Sequence, residues 1–409
     1  MKFIKEGLPS SKIVDDVFKI ANKAKEDILK NGKNNVINAT IGTLYGENNE
    51  LVVYDTIYNT YKLIDNKVHA SYSSSFTGDP KFIDAIDKFI FSDINLKLNY
   101  NIIATNGGTG AINMSLMNQC NPNDIVLGPS IGWGSYKVMC EQHNLKYDTY
   151  NLFKEDKFDL DNFKEKCIET INKQNKLVLI INDPCHNPTG LSMGNELWNE
   201  IITFLNSFKD TPIIIINDVA YIDYSYNLKE SRRYMETFNK CNSNIFINIT
   251  FSCSKVFSFY GVRLGCLITC HKDMDILNQV YDANERACRA IFSNVTNGGM
   301  KTIADVLNNH KEIYLKEKSN YIDLLQKRSD LFIEQSKQCN LELYPYNEGF
   351  FITIKVLDNN LRDTMHNTLM DNHIYTIKVN QGLRVAICSL TLNDIMGLPQ
   401  KIKDIISNI

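Results

Sequence analysis

Short apolar runs alternate with amphipathic stretches through the middle of the chain. Strands that are apolar on both faces and are separated by helices are typical of a mostly parallel sheet with helices on both sides. The pattern therefore predicts an α/β fold, a three-layer sandwich around a mostly parallel central sheet. The runs are Asn101–Thr105, Ile125–Leu127, Lys146–Tyr150, Leu177–Ile181, Ile213–Ile216, Ile245–Thr250 and Leu264–Thr269.

Helical periodicity is the main feature of the two ends of the chain. Apolar residues fall at helical spacing from Ile13 to Ile28, and Asn31-Gly32 is typical of a helix C-cap. Residues 300–338 predict long helices. The remainder predicts two strands and a helix, at Phe350–Val356, Leu383–Ile387 and Leu392–Ile406. We expect these parts to form a smaller α+β domain, on which the N-terminal helix also packs.

The composition describes an ordinary globular chain of enzyme size. Of its 409 residues, 22% are charged and 44% are hydrophobic, which excludes collagen-like, coiled-coil and largely disordered chains. The 44 basic side chains nearly balance the 47 acidic ones, and the formal net charge is −3. So balanced a charge favours neither nucleic acid nor an anionic membrane as a partner.

The cysteines and the longest apolar runs bear on the compartment. Eleven cysteines are scattered without a C-x-x-C pair, so we expect reduced thiols in a reducing environment. Residues 1–30 lack the uninterrupted apolar core of a signal peptide. A bilayer-spanning helix needs about 20 apolar residues in a row, and no run here is that long. These three features together predict a cytoplasmic protein without a membrane span. The histidines show no metal-ligand spacing, so we expect no metal site.

Chemistry-bearing residues follow four of the predicted strands. Ligands of open α/β sheets bind where the strands end, so these residues are the candidates for a site. The turn Asn106–Ala111 is rich in glycine and opens a helix, whose free backbone N–H groups suit a phosphate. The other three clusters are Asn182–Gly190, Asn217–Tyr221 and Ser252–Gly265.

Each cluster alone has a plainer interpretation. The glycine-rich turn is equally compatible with a tight turn that binds nothing, and Asp218 with a helix N-cap. A dinucleotide site is disfavoured because the next strand ends in Leu127-Gly128-Pro129, without an acid for a ribose. Lys255 would, like most lysines, be a solvated side chain. Four such clusters at strand ends nevertheless favour a common site.

Three motifs stand within these clusters: H-N-P-T-G at 186–190, D-x-A-Y at 218–221, and S-x-S-K followed by G-x-R-x-G at 252–265. Together they resemble the class I aminotransferases, pyridoxal-phosphate enzymes of fold type I. Three further stretches are similar to the aspartate and aromatic aminotransferase branch: Ile41-Gly42 before an acidic loop, the turn Gly107–Ala111, and Arg289–Asn294. The resemblance covers nearly the whole chain.

The resemblance implies catalytic and cofactor-binding roles. Lys255 carries the cofactor and moves the proton, and Asp218 pairs with the pyridine nitrogen. Tyr221 and Asn187 bind the phenolate oxygen of the cofactor. Trp133 stacks on the cofactor ring, with a core tryptophan as the alternative. The residues implied to hold the phosphate are Gly108, Thr109, Ser252, Ser254, Arg263 and, reaching into a neighbouring subunit, Tyr72.

Two arginines are implied to bind the substrate. Arg384 lies in an apolar run and matches the arginine for the α-carboxylate, which a planar guanidinium binds through two hydrogen bonds. Arg289 matches the arginine for a distal carboxylate, although Arg286 lies three residues earlier on the same helical face and either could be structural. The other implied substrate contacts are Ile41, Gly42, Trp133 and Asn187.

The implied activity is transfer of the amino group of an aspartate-, glutamate- or aromatic-type L-amino acid to a 2-oxo acid such as 2-oxoglutarate. A homodimer with shared active sites is implied as well. The implied domains are a large cofactor-binding domain at 50–305 and a small domain formed by 1–49 and 306–409. Two alternatives stay open: a pyridoxal-phosphate β-elimination lyase of the C–S lyase type, and a non-catalytic regulator that binds the cofactor.

Overall fold

A computed structural model of the chain describes residues 3–9, 11–13, 16–407 and 409. The helices are α1 (Asp16–Asn31), α2 (Asp55–Leu63), α3 (Asn66–Ala70), α4 (Pro80–Phe91), α5 (Gly107–Gln119), α6 (Ser135–Gln142), α7 (Leu160–Gln174), α8 (Gly194–Leu205), α9 (Cys253–Val256), α10 (Met274–Ile291), α11 (Asn297–Asn309), α12 (Lys311–Gln338), α13 (Asn359–Asp371), α14 (Leu392–Ile395) and α15 (Leu398–Ile406). The strands are β1 (Ile37–Asn38), β2 (Asn99–Thr105), β3 (Ile125–Pro129), β4 (Lys146–Tyr150), β5 (Phe153–Lys154), β6 (Lys157–Phe158), β7 (Leu177–Asn182), β8 (Ile213–Asp218), β9 (Ile245–Ser252), β10 (Gly265–His271), β11 (Phe351–Lys355), β12 (Ile374–Tyr375), β13 (Ile377–Val379) and β14 (Gly382–Ala386). Short 3-10 helices lie at Lys33–Asn35, Ile222–Tyr224, Arg233–Lys240 and Ile387–Ser389.

A seven-stranded sheet forms the centre of the structure, in the order β2-β10-β9-β8-β7-β3-β4. Strand β10 is antiparallel to both of its neighbours, and the other neighbouring pairs are parallel. These strands coincide with the seven predicted apolar runs. The expected α/β fold with a mostly parallel central sheet is confirmed.

Both faces of this sheet are buried, because successive side chains of one strand enter different cores. In β7, Val178 and Ile180 pack with residues of α5, α6 and α10 on one face. Leu177 and Leu179 join the large core on the other face, together with residues of α7 and α8. A strand that is covered on both faces must be apolar throughout, which explains the continuous run. The arrangement is a three-layer α/β/α sandwich.

The two ends of the chain meet beside a smaller antiparallel sheet, in the order β11-β14-β13. On α1, Ile20 and Ala24 pack with Tyr375 and Ile377, and β1 pairs with β12. The N-terminal helix therefore packs on the C-terminal part of the chain through the apolar positions whose spacing predicted it. The domain boundaries near residues 50 and 305 stay a prediction.

The C-terminal helix differs from its prediction. Leu392–Ile406 forms two helices, α14 and α15, because the chain turns at Gly397, which has a φ of 75°. Glycine adopts this left-handed conformation readily, and the apolar periodicity that predicted one helix continues across the turn. Residues 14 and 15, within the predicted N-terminal helix, lie outside the described residues.

Three further observations limit what the fold can contain. All eleven cysteines are free thiols. In the part of the chain that the structure describes, no helix combines the length and apolar character that a bilayer crossing requires. Over the same residues, no group of three or more His, Cys, Asp and Glu side chains is placed to hold a metal ion.

Candidate active site

The direction of β10 brings three chain segments to one edge of the central sheet. Strands β2 and β9 end at this edge, and the antiparallel β10 begins there, with Gly265 opposite both Thr105 and Ser252. A β-carbon added at Gly265 would lie 2.6 Å from the backbone carbon of Gly107, so only glycine fits between the segments. Arg263, two residues before β10, is therefore held beside the glycine-rich turn.

All of the predicted phosphate-binding residues except Tyr72 lie together at this edge. A β-carbon at Gly107 would lie 2.8 Å from Arg263 Nη2, and one at Gly108 would lie 3.2 Å from Ser252 Cβ. Arg263 Nη1 donates a hydrogen bond to Ser254 Oγ at 2.9 Å. No side chain caps the N-terminus of α5, so the backbone N–H groups of its first turn, which includes Thr109, are free for an anion. Free N–H groups, two hydroxyls and a guanidinium form an anion-binding end of the cleft.

Asp218 lies at the end of β8, three strands from β2 in the sheet. Its Oδ1 accepts a hydrogen bond from Ala220 N at 3.0 Å, and its Oδ2 accepts one from Tyr136 Oη at 2.6 Å. The side chain is buried, and this burial raises the pKa of the Asp218 carboxyl. The two hydrogen bonds act in the opposite direction, because both favour the ionised carboxylate.

Tyr136 was not among the predicted site residues. It lies on the first turn of α6, three residues after Trp133, and the two rings meet edge to face with their centroids 5.4 Å apart. Trp133 is only partly buried, whereas Tyr136 is completely buried. Trp133 lies before the helix, and Tyr136 N donates a hydrogen bond to the Trp133 carbonyl oxygen at 3.1 Å. The turn into α6 thus brings together two aromatic residues three positions apart, and this spacing is the signal that could have identified Tyr136.

Lys255 lies on α9, directly after the end of β9. Its Nζ donates a hydrogen bond to the carbonyl oxygen of Gly42 at 2.5 Å. The amine also lies 4.9 Å from the ring centroid of Tyr260 and 5.5 Å from that of Tyr221. Burial, the largest cause, and the positive charges of Arg384 and Arg263 together lower the pKa of Lys255 to about 8. The amine is thus far easier to deprotonate than an ordinary lysine.

The lowered pKa of Lys255 makes a testable prediction for the purified protein. Only a neutral amine reacts with acetic anhydride, so acetylation of Lys255 should be half-maximal near pH 8 and complete above it. Mass spectrometry of peptides after brief labelling at a series of pH values measures the acetylation of Lys255. Half-maximal labelling of Lys255 about two pH units higher, as for an ordinary lysine, would contradict the assigned environment.

Arg384 reaches the cleft from β14 of the smaller sheet. Its Nη1 donates to Asn187 Oδ1 at 3.2 Å and its Nη2 to the Thr40 carbonyl oxygen at 2.6 Å. The guanidinium carbon lies 4.4 Å from the ring centroid of Phe351, and the side chain is 6% exposed. Its Nε has no hydrogen-bond partner, and no acidic side chain of the described residues forms an ion pair with it. A buried cation without an acid partner favours an anionic ligand.

The loop that carries Asn187 is fixed by contacts with both the central sheet and the smaller sheet. Asn187 N donates to Asn182 Oδ1 at 2.7 Å, and Thr353 Oγ1 on β11 donates to the Pro188 carbonyl oxygen at 2.7 Å. The second contact joins the small sheet to the H-N-P-T-G motif. It explains how Arg384, on the neighbouring strand, comes to lie against Asn187.

The N-terminal segment closes the cleft over Lys255. A β-carbon at Gly42 would lie 2.7 Å from Phe351 Cζ and 3.8 Å from Tyr221 Oη, so the close approach of this segment requires glycine. The neighbouring Ile41 carbonyl oxygen accepts a hydrogen bond from Cys388 Sγ at 3.7 Å. Gly42, Ile41 and Tyr221 are thus brought to the same cleft as Lys255 and Arg384.

Tyr72 and Arg289 are not brought into this cleft. Arg289 Nη1 donates to Ser293 Oγ, and its guanidinium carbon lies 5.1 Å from the ring centroid of Phe76. Tyr72 is 85% exposed. The two lie on one connected surface, because Asn294 bonds the backbone of Ser73 at 2.8 Å. Arg286, the alternative to Arg289, is exposed on the same helix.

Comparisons with known proteins show the family of the chain. The family model described as aminotransferase class I and II matches residues 34–402. A crystal structure of an aminotransferase from Anaerococcus prevotii DSM 20548 is 28% identical, with a TM-score of 0.95 over 99% of both chains. The aspartate aminotransferase of Pseudomonas aeruginosa is 22% identical over 66% of this chain and 68% of its own length. The aromatic-amino-acid aminotransferase of Escherichia coli K12 is 22% identical over 72% of this chain and 73% of its own length.

The family match spans both the central sheet and the smaller sheet, and so includes every element that lines the cleft. The motif residues that the comparison covers lie where the strands end, in the arrangement described above. The chain belongs to the family of class I and II aminotransferases, enzymes that depend on pyridoxal phosphate.

Proposed function

We propose that this enzyme moves the amino group of an acidic or aromatic L-amino acid to a 2-oxo acid such as 2-oxoglutarate, using pyridoxal phosphate held beside Lys255. The observation that carries the proposal is that the guanidinium of Arg384 has no acidic partner among the described residues and that its Nε has no hydrogen-bond partner. This guanidinium lies buried in the cleft of Lys255. An amino acid and a 2-oxo acid both carry a carboxylate that would satisfy it.

The cleft also fits the cofactor. The uncapped N-terminus of α5, with Gly108 and Thr109, suits a phosphate, and Ser252, Ser254 and Arg263 add hydroxyl and guanidinium donors. Asp218 supplies a buried carboxylate for the pyridine nitrogen, and Trp133 packs on the tyrosine that bonds this carboxylate. When it is bound, the cofactor supplies the electron sink that makes the substrate Cα–H acidic.

Lys255 is proposed to carry the cofactor and to move the proton of the substrate. The amine must be neutral for both tasks, and its environment lowers its pKa to about 8. The Gly42 carbonyl oxygen accepts a hydrogen bond from this amine, which holds the side chain in one position when it is free. Tyr221, whose ring lies 5.5 Å from the Lys255 amine, is proposed to bind the cofactor phenolate together with Asn187.

Arg384 and Asn187 are proposed to orient the substrate. The hydrogen bond from Arg384 to Asn187 fixes one edge of the guanidinium, and a substrate carboxylate would take up the unpartnered Nε. Ile41 and Gly42 lie above the same side of the cleft and would exclude water from it. The same cleft holds the Lys255 amine, which is close enough to Arg384 to feel its charge and is proposed to remove the proton from the substrate Cα.

The proposed substrate class rests on Arg289. We propose that Arg289 binds the distal, side-chain carboxylate of a substrate held in the active site of a second subunit. Its guanidinium has no acidic partner among the described residues and lies on the same exposed surface as Tyr72. Tyr72 is 85% exposed, which is unusual, because tyrosine side chains are generally partly buried. Both observations support a homodimer in which Tyr72 and Arg289 of one chain complete the site of the other. Similarity to aspartate and aromatic aminotransferases supports the same substrates.

This proposal predicts complementation between two defective chains. Lys255→Ala and Arg289→Leu each disable a different part of the shared site, so each alone should transfer amino groups from aspartate poorly. In a mixed dimer one site would regain both side chains, so unfolding and refolding an equimolar mixture should restore about one quarter of the wild-type activity. Aspartate-dependent glutamate formation measures the recovery. Arg286→Leu in place of Arg289→Leu is the matched control and should be active alone. No gain of activity on mixing would contradict the shared site.

A further inference from the structure

Tyr136 occupies a position that the catalytic motifs do not include. Its phenol oxygen lies 2.6 Å from Asp218 Oδ2, and neither side chain is open to solvent. We propose that Tyr136 is a positioning residue, which acts through Asp218 to keep this carboxylate ionised and correctly oriented for the cofactor. The inference rests on the proposed role of Asp218 as partner of the pyridine nitrogen.

The surroundings of Asp218 explain why one phenol matters. The titratable side chains near it are the phenols of Tyr136 on α6, Tyr221 after β8 and Tyr234 in the 3-10 helix Arg233–Lys240. Among the residues that the structure describes, no cation contributes to the ionisation of Asp218, and burial alone would raise the pKa of its carboxyl. The ionised form is therefore supported by two hydrogen bonds only, from Tyr136 and from the backbone of Ala220.

The phenol is a donor whose charge state does not change. Burial and the nearby Asp218 raise the pKa of Tyr136 well above its usual value, so its proton stays on the oxygen at any pH at which the enzyme works. A neutral donor favours the carboxylate over the carboxylic acid without bringing a compensating positive charge. Asp218 thus keeps its full negative charge for the pyridine nitrogen.

The two hydrogen bonds also fix the orientation of the carboxylate. Ala220 N binds Oδ1 from within the loop after β8, and Tyr136 binds Oδ2 from a different element. The ring of Tyr136 is held in turn by the core around Met139 and Leu145 and by the edge of Trp133. Tyr136 therefore contacts both Asp218, the proposed partner of the pyridine nitrogen, and Trp133, which is proposed to stack on the cofactor ring.

Tyr136→Phe tests this role, since it removes the hydroxyl and keeps the packing. Tyr147→Phe is the matched control, because Tyr147 packs in the same core and its hydroxyl has no bond to Asp218. The carboxyl carbon of Asp218 is followed by NMR over a range of pH in apoenzyme labelled with ¹³C-aspartate, and Asp218→Asn assigns its signal. The pKa of Asp218 should be higher in Tyr136→Phe than in wild type and unchanged in Tyr147→Phe. Equal pKa values in wild type and Tyr136→Phe would overturn the inference.

Titration of the same apoenzymes with pyridoxal phosphate gives a second readout. Tyr136→Phe should bind the cofactor about tenfold more weakly at neutral pH, in keeping with loss of a hydrogen bond to a charged group. A raised pKa with unchanged affinity would overturn the link from Tyr136 to the cofactor. If Asp218→Asn also bound as tightly as wild type, the proposed role of Asp218 itself would fail. The two failures are thus distinguishable.

Discussion

Replacing Lys255 by alanine is expected to lower kcat for amino transfer by at least about 10⁴-fold, the upper range for loss of a general acid–base group. The side chain has two proposed tasks, covalent attachment of the cofactor and transfer of the substrate proton. No other lysine of the described residues is placed to substitute for it. Lys318, whose pKa burial also lowers to about 8, is completely buried and ion-paired with Asp223. Steady-state formation of glutamate from aspartate and 2-oxoglutarate measures the loss.

Lys255→Arg separates the chemistry of the amine from its charge and size. A guanidinium could still donate to the Gly42 carbonyl oxygen, but it stays protonated at every working pH and cannot act as a base. This variant should therefore be as inactive as Lys255→Ala while unfolding at the wild-type temperature. Activity within tenfold of wild type in either variant would show that Lys255 does not perform the proton transfer.

Replacing Arg384 by lysine is expected to lower kcat/KM for amino acids by about 10²- to 10³-fold, the cost of losing a buried, hydrogen-bonded charge partner. Lysine keeps the positive charge but loses the planar pair of donors. A single ammonium group cannot bond Asn187 Oδ1 and the Thr40 carbonyl oxygen, as Arg384 does, while it also binds a substrate carboxylate. Most of the loss should lie in KM, since the carboxylate is held before and during the chemical step.

Arg362→Lys is the matched control for this prediction. Arg362 lies on α13, where it pairs with Asp363 and makes no contact with the cleft. Its replacement should leave kcat and KM for aspartate within about twofold of wild type, as expected for a surface ion pair. Equal effects of Arg384→Lys and Arg362→Lys on kcat/KM would rule out Arg384 as the carboxylate site.

The sequence predicted those features that depend on local pattern. Continuous apolar runs identified the strands because both faces of the sheet are buried, and residues such as Val178 and Leu179 must both be apolar. Asp218 and Lys255 were identified as candidate site residues because ligands of open α/β sheets bind where the strands end, and both residues follow strand ends directly in the chain. The glycine-rich turn was found for the same reason.

Contacts between distant segments could not be predicted in the same way. Tyr136 and Asp218 are 82 residues apart, and Arg384 and Thr40 are 344 apart. Their meeting depends on the order of strands in the sheet and on how the small sheet docks, neither of which periodicity encodes. The turn at Gly397 was missed because the apolar spacing continues across it. The resemblance to class I aminotransferases implied the role of Arg384, and the structure shows that it bonds Asn187 and Thr40.

The central claim is that this chain moves an amino group between two carbon skeletons, and isotope transfer tests it most directly. Holoenzyme is incubated with ¹⁵N-labelled L-aspartate and unlabelled 2-oxoglutarate, and the products are resolved by mass spectrometry. We predict ¹⁵N-glutamate and oxaloacetate in equal amounts, and no glutamate from Lys255→Ala. If aspartate is a poor donor, labelled phenylalanine or tyrosine should give the same transfer. Release of ¹⁵N-ammonia and pyruvate from cysteine without an acceptor, or no transfer from any of these donors, would contradict the account.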